Sequence, residues 1–540
     1  MNTHPLRWPL LTVLLFCGIS LLTAGTRRYR LSWVDNPATS ISIGFEFNLG
    51  RQVYVAYDTK PGGVNVSAYR FRANPSRTQL VKGMRTCFVR LTDLQPETVY
   101  YFIVVDDQGI SRPLSFETPP NRLDRRLSII AGGDSRNHRE ARQTANHIVG
   151  KLRPHAVFFS GDMTESDTPA QWAAWLDDWQ LTISEDGRCT PIVPARGNHE
   201  QANTSISQIF DVPHPDIYYA LDFAGGLLRA YTLNTMVEAN GNQLQWLNRD
   251  LQTNQDVVWK VVQYHNGMRP HSAGKVERDD LVKFWAPLFY RHEVNLAIES
   301  DAHVVKRTWP LRPSQGPGSE LGFIRDDAKG TVYVGEGCWG APLRTNDDNK
   351  SWTRASGRFN QFKWLWIDAS KIELRTVMTD GSASCATVNP NQRFEVPRGL
   401  RLWRPDNEDV LTIRKGRAVA STAPPPARTP IRPSQPVFQP TGGGPPAPGA
   451  NPVTPPSTVE VIRPNDKFKV ELRYVLDQPG PVEVIIITDK LRQFHKRSLP
   501  AKGPGPYREW VQIPEIPRSI KWQLILKSRG KVIKRFKLVN

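Results

Sequence analysis

Leu127-Ser128-Ile129-Ile130-Ala131-Gly132-Gly133-Asp134-Ser135-Arg136 is the stretch that decides the fold. Its apolar run, 127–131, reads as a buried strand, and an aspartate follows where the strand ends. The same arrangement returns four times. Residues 156–160 lead into Gly161-Asp162-Met163-Thr164-Glu165, and residues 191–194 into Gly197-Asn198-His199-Glu200. Residues 259–262 lead into Val262-Gln263-Tyr264-His265, and residues 294–298 into Ser300-Asp301-Ala302-His303. Helical apolar spacing fills intervals between them, at 141–152, 169–179, 242–251 and 279–291. Alternating strands and helices predict a layered α/β domain, and polar residues leaving the C-terminal strand ends are where such a sheet builds its site.

Around this segment, taken as 125–415, the 540-residue chain has room for further domains. Residues 31–118 alternate apolar and polar in short runs, such as Ser40-Ile41-Ser42-Ile43-Gly44-Phe45 and Val53-Tyr54-Val55-Ala56-Tyr57, separated by Asn, Pro and Gly. That is the pattern of an all-β sandwich. Residues 423–456 shift to Pro, Ala, Thr and Gly, a composition that cannot bury apolar surface and reads as an extended linker. Strand signals resume in 457–540, at 468–474, 482–487, 522–526 and 532–539, predicting a small β domain. From Val459 onward there are 18 Lys and Arg against 8 Asp and Glu, a balance of +10 within a chain whose net charge is +18. Much of the basicity therefore lies far from the acidic motifs.

The N-terminus carries Arg7, an apolar stretch over 8–24 and then small residues, so 1–25 reads as a secretory signal peptide that sends the protein outside the cell or into a periplasm or cell envelope. The run is almost long enough to span a bilayer and Arg27, Arg28 and Arg30 follow it, so an anchor at 8–25 is the alternative. An exported chain would keep Cys87, Cys189, Cys338 and Cys385 in an oxidising compartment, where either three disulfide pairings or buried thiols are open to it. His138, His147, His155 and His292 fall on or beside the helical segments and read as surface side chains.

Two cations held about 3.5–4 Å apart can activate a water and clamp the attacking and leaving oxygens of phosphoryl transfer. Hard oxygen ligands with imidazoles, drawn from several strand ends, suit that task. In order, spacing and residue type the five motifs resemble calcineurin-like metallophosphoesterases. Leu94-Gln95-Pro96-Glu97-Thr98-Val99-Tyr100 resembles the tyrosine corner of fibronectin type III domains, and a domain of that kind before the motifs resembles the purple acid phosphatase branch. The resemblance covers roughly 31–377. It implies a four-layer α/β (α+β) core, two packed β-sheets flanked by helices, behind an all-β sandwich, with a small all-β domain beyond its reach at the C-terminus.

Carried over residue by residue, the resemblance implies that Asp134 binds the first metal, Asp162 bridges both, Asn198 and His265 bind the second, and His303 completes the first. His199 would lie over the substrate, stabilising the transferring phosphoryl group or protonating the leaving oxygen. Arg136 and Arg196 abut ligand motifs, and guanidinium suits phosphate; His271 follows His265 in the same loop. All three are candidate substrate contacts. The segment Gly335-Glu336-Gly337-Cys338-Trp339-Gly340-Ala341-Pro342 resembles the glycine-rich strand exit that closes the site, its glycines admitting close backbone approach.

Three positions depart from the family pattern. Glu165 stands where purple enzymes place a ligand tyrosine, so it enters the ligand set without the tyrosinate colour. Asp301 replaces an imidazole in the last motif, and Arg136 stands where relatives have glycine or a ligand histidine. The harder set leans toward Mn, Fe, Mg or Ca over Zn.

These readings predict an exported, metal-dependent phosphoric ester hydrolase, acid phosphatase-like, with two ions drawn from Fe, Mn, Zn, Mg or Ca. In-line attack on phosphorus by a metal-bound hydroxide near Asp162 is the implied step, with monoesters ahead of diesters. A phosphorylated small molecule is the expected substrate and an anionic envelope or wall polymer the expected partner of the basic C-terminal domain. Nucleic acid is disfavoured, because no basic and aromatic stripe flanks the motifs. The competing expectation, allowed by the three altered positions, is a catalytically weak cell-surface binding protein on a degenerate phosphatase fold.

Overall fold

The structure, a computed structural model, describes residues 25–47 and 52–415 in full and the backbone of strands between Val461 and Leu538. The expected leader or anchor up to residue 24 and the proline-rich linker lie outside the described residues. The chain divides into two compact units, 1–424 and 425–540.

The N-terminal domain is all-β. One sheet orders its strands Thr26–Ser32, Ile41–Phe47, Met84–Leu91 and Arg77–Val81; the other pairs Val53–Asp58 with Phe71–Ala73 and with Val99–Asp106, which also pairs Leu114–Glu117. Tyr100 ties its strand to the preceding turn, its hydroxyl accepting the Gln95 N–H at 2.8 Å. The sandwich is bolted to the next domain by ion pairs: Arg90 and Arg77 reach Asp211 at 2.7 and 3.2 Å, and Arg28 reaches Asp177 at 2.7 Å.

The α/β core has two sheets. In the first, the order is Ile192–Pro194, Ala156–Phe159, Leu127–Gly132, Gln361–Ile367, Lys371–Met378, Val410–Arg414, with the first three strands parallel. In the second, it is Tyr219–Phe223, Leu228–Thr232, Trp259–Asn266, Leu296–Ser300, Val332–Gly335, Val305–Thr308, Thr353–Gly357. The period of two sorts the second sheet's side chains. Trp259, Val261, Leu296 and Ile298 join one apolar cluster with Leu127, Ile129 and Leu365 of the first sheet. Val262, Tyr264 and Ala297 face the other way, onto Leu247, Leu251 and Phe289 of the covering helices and Trp285 between two of them. Sheet on sheet with helices outside is the four-layer arrangement expected. Each apolar stripe buried this way is worth roughly 25 cal/mol per Å2.

Helices Arg139–Leu152, Pro169–Trp179 and Asn242–Thr253 lie where the spacing predicts them. The fourth does not run unbroken over 279–291: it splits into Asp279–Phe284 and Ala286–Arg291. Pro287 cannot donate to the turn before it, so the chain restarts the helix with proline in its first turn. Cys87, Cys189, Cys338 and Cys385 are all free and buried, so the thiol alternative holds and no pairing forms among them. The second unit forms two antiparallel sheets, Val461–Ile462, Lys469–Leu476 and Gly505–Gln512 in one, and Gln493–Lys502, Gly480–Thr488, Trp522–Ser528 and Lys531–Leu538 in the other. It is the small all-β domain expected.

His155 is not a surface side chain: it is 4% exposed, its Nδ1 accepting the Ser128 N–H at 2.9 Å. Burial, then the Arg393 guanidinium, hold its pKa down to about 3. Nearby, burial works against a charged Glu117, but Arg188 and Arg393 outweigh it and hold the carboxyl down to about 2. In the unfolded chain His155 takes its proton near the ordinary 6.5 and Glu117 near 4.5. Stability from both is therefore complete above those values and falls with pH toward 3 and 2. The melting temperature is expected to drop between pH 7 and pH 4 by the equivalent of a few kcal/mol, roughly 1.4 kcal/mol per pKa unit. His155→Gln should flatten that slope; an unchanged slope in the variant would exclude His155 as its source.

Candidate metal centre

Asp134 follows the first sheet's strand Leu127–Gly132, Asp162 follows Ala156–Phe159, and Asn198 follows Ile192–Pro194. From the second sheet come His265, inside Trp259–Asn266, and Asp301 and His303 just past Leu296–Ser300. Their donor atoms form two groups able to hold a cation, Asp134 with Asp162 and His303, and Asp162 with His265 and Asp301. Within each group the atoms lie within 4.8 Å of one another, and Asp162 belongs to both. His303 Nε2 is 3.1 Å from Asp134 Oδ1. His265 Nε2 is 2.9 Å from Asn198 Oδ1, 3.2 Å from Asp162 Oδ1 and 3.6 Å from Asp301 Oδ1.

The second nitrogen of each imidazole is occupied, which aims the first. His265 Nδ1 is 2.9 Å from the Ser160 carbonyl and His303 Nδ1 2.8 Å from that of Pro342, the outer contact that orients a metal-binding histidine. Asp134, Asp162, His265 and His303 are buried. Burial opposes a charged His265, yet the Asp162 and Asp134 carboxylates raise its pKa well above the ordinary range. Clustered buried carboxylates thus favour positive charge between them, and a donor set of this charge and hardness fits a pair of cations.

Backbone geometry is unusual here. Asp134, Arg136, Asp162, Asp301 and His303 have φ of 60°, 43°, 55°, 74° and 54°, the left-handed region that non-glycine residues visit seldom. Such strain persists where surrounding bonds over-determine it. Gly337 shows how tight the packing is, since a Cβ there would meet Asp134 Oδ2 at 2.3 Å. The close backbone approach expected of this glycine-rich exit is therefore present.

Three sequence candidates lie elsewhere than expected. Glu165 is in neither group; its carboxylate, 40% exposed, lies 3.7 Å from Arg136 Nη1. Its two oxygens face cationic and imidazole groups, Arg136 and, at 3.9 Å, His199 Nδ1, and not the other carboxylates. Arg196 spends its guanidinium on the Glu200 carbonyl at 3.0 Å and Asn203 Oδ1 at 2.6 Å, a structural tie between loop segments. His271, read as a contact at the pocket mouth, is fully buried against Trp352, its Nε2 2.7 Å from Thr353 Oγ1. Burial and the Lys306 ammonium hold its pKa down to about 2. Arg136 does face the centre, its Nη2 3.4 Å from Asp162 Oδ2, and His199 Nε2 is 3.7 Å from the same oxygen.

Two residues were missed. Lys275 donates to Asp301 Oδ1 at 2.5 Å from the loop after His265, and no local pattern marks it. Glu200 is buried, its carboxylate accepting the N–H groups of Asp162 (3.0 Å), Met163 (2.7 Å) and Gly197 (2.7 Å), so it staples the Asp162 loop to the Asn198 loop. Its place beside His199 in Gly197-Asn198-His199-Glu200 was the available signal.

Comparison with known proteins gives the following. The model of the purple acid phosphatase N-terminal domain matches residues 26–118, and that of calcineurin-like phosphoesterases matches 93–305. An uncharacterized protein of Mycobacterium tuberculosis is 24% identical over 339 residues, 53% of this chain and 63% of its own. Purple acid phosphatase 21 of Arabidopsis thaliana is 25% identical over 276 residues, 47% of this chain and 59% of its own. The chain thus spans about three-fifths of the length of the curated relatives it matches. The structure of a purple acid phosphatase from yellow lupin (Lupinus luteus) seeds superposes with a TM-score of 0.57 at 16% identity, over 73% of this chain and 75% of that one. The structure of PhoD superposes at 0.52 and 12% identity, over 74% and 93%. These two likenesses show the fold.

Proposed function

We infer the activity from one premise: this chain belongs to the calcineurin-like phosphoesterases and carries a purple acid phosphatase-type N-terminal domain. It is a metal-dependent phosphoesterase, and our reading is an exported hydrolase of small phosphoric monoesters. The observation that carries it is the sharing of Asp162 between two potential cation sites. Two bound cations would lower the pKa of a water and offset charge on the phosphoryl oxygens.

The chain's own residues supply the rest. Asp134 with His303 would hold one cation and His265 with Asp301 and Asn198 the other, with Asp162 common to both. Arg136 and Lys275 offer cationic donors to the non-bridging oxygens of a phosphate, and two such charges suit a dianionic monoester better than a diester. His199, its Nδ1 2.5 Å from the Glu165 carbonyl, turns Nε2 toward the centre, where it can pass a proton to the leaving oxygen. The leader at 1–25 would export the protein, and the basic C-terminal domain would hold it against an anionic envelope polymer.

The deciding experiment is metal per chain measured alongside hydrolysis of an aryl phosphate monoester and diester. Two ions with monoester turnover, abolished by chelator and restored by Mn or Fe, is the expected result. Lys275 on Asp301 and Arg136 on Asp162 stand close to where cations would sit, which favours one rival, the weakly catalytic binding protein. Fewer than one ion and no turnover would establish that rival instead.

A further inference from the structure

We propose that the N-terminal sandwich belongs to the working site, because Lys82, at the tip of one of its hairpins, positions His199 through Asp167. The proposal rests on the hydrolase reading and gives the accessory domain a part in it. Lys82 and Gly83 join strands Arg77–Val81 and Met84–Leu91, with φ of 48° and 73°. From that turn Lys82 Nζ crosses the domain boundary to Asp167 Oδ2 at 2.7 Å and donates to the Asp167 carbonyl at 2.9 Å.

Asp167 is buried, and its bonds knot two loops together. Oδ1 accepts the Trp172 indole N–H at 2.6 Å; Oδ2 accepts the Ser205 hydroxyl at 2.7 Å and the Gln201 N–H at 3.2 Å. Its own N–H donates to Thr164 Oγ1 at 3.1 Å. One loop, 162–168, presents the Glu165 carbonyl that fixes His199 Nδ1. The other, 199–202 running into the helix Asn203–Ile209, carries His199 itself. The aim of this imidazole therefore depends on how these loops sit against each other, and the knot between them is a buried carboxylate whose one ion pair among the described residues is with Lys82.

Take that ammonium away and a buried charge loses its compensation, so Asp167 shifts toward water and the loops part. Catalysis is sensitive to displacements of about 1 Å, which can cost about a hundredfold. A tie that only held the domains together would not have this effect. Arg90 to Asp211 crosses the same boundary at 2.7 Å and touches neither loop, which makes it the control.

The test uses the full chain with its metals and compares wild type, Lys82→Met, Lys82→Arg and Arg90→Met on an aryl phosphate, with amide hydrogen exchange on all four. Expected for Lys82→Met is a fall in kcat of about tenfold or more with KM and metal content unchanged. Most of kcat should return in Lys82→Arg, and Arg90→Met should keep wild-type kcat whatever it does to melting. Exchange should quicken in 162–168 and 199–205 for Lys82→Met alone. Wild-type kcat in Lys82→Met, or an equal loss in Arg90→Met, would overturn the proposal. If Lys82→Met does not fold, Lys82→Gln is read by the same criteria. A wild-type protein without turnover would defeat the hydrolase reading, and the exchange result would then decide the brace by itself.

Discussion

Asp162→Ala is expected to abolish turnover, lowering kcat on an aryl phosphate by about three orders of magnitude or more, the scale at which a lost cation removes several kcal/mol of charge stabilisation. The reason is geometric. Asp162 is the one carboxylate common to both groups of donors, so its removal weakens both sites at once, whereas loss of His303 or His265 would strip one. It is also the acceptor of the His199 N–H at 2.9 Å and the neighbour of Arg136, so the variant loosens the two groups we propose for the phosphate. Burial opposes its charge, but His265 outweighs this and keeps the carboxyl down to about 2, ionised wherever an acid phosphatase would work. Elemental analysis should fall from two ions to one or none. Turnover within about tenfold of wild type would mean that the shared carboxylate is not where the chemistry happens.

Glu200→Ala is expected to cost about 3 kcal/mol or more of stability, read as a fall in the urea midpoint. Three buried N–H groups lose their acceptor together, and each unsatisfied donor is worth about 1–3 kcal/mol. Glu200→Gln keeps one carbonyl oxygen and should lose about half as much. Because two of those donors are the N–H groups of Asp162 and Met163, metal affinity should weaken with stability in the alanine variant. A midpoint equal to wild type would show that water replaces the carboxylate without loss.

The strands and the groups of potential ligands were legible because both are local. A short apolar run ending in an acidic or histidine motif states which residues are buried and which side chain leaves the sheet, and this holds for Asp134, Asp162, His265, Asp301 and His303. What was not legible depends on partners distant in sequence. Nothing near Lys275 says that its loop returns to Asp301. Arg196 looks the same in sequence whether it faces a phosphate or, as found, the Glu200 carbonyl. His155 and His271 show a second limit, since sequence places one imidazole beside a helix and the other in the loop after His265 but does not show the neighbours that close over either. The break before Pro287 was readable from the residue itself and was masked by good apolar spacing on both sides.

Each potential ion site takes donors from both sheets, since Asp134 and Asp162 leave one and His265, Asp301 and His303 the other. A cation there would be a clasp across the core as well as a reagent, and binding that favours only the folded form adds stability in proportion to the logarithm of free metal. Scarcity would then do more than silence the protein. It would open the core along its own seam, expose it to proteases, and let metal supply govern how much of it survives.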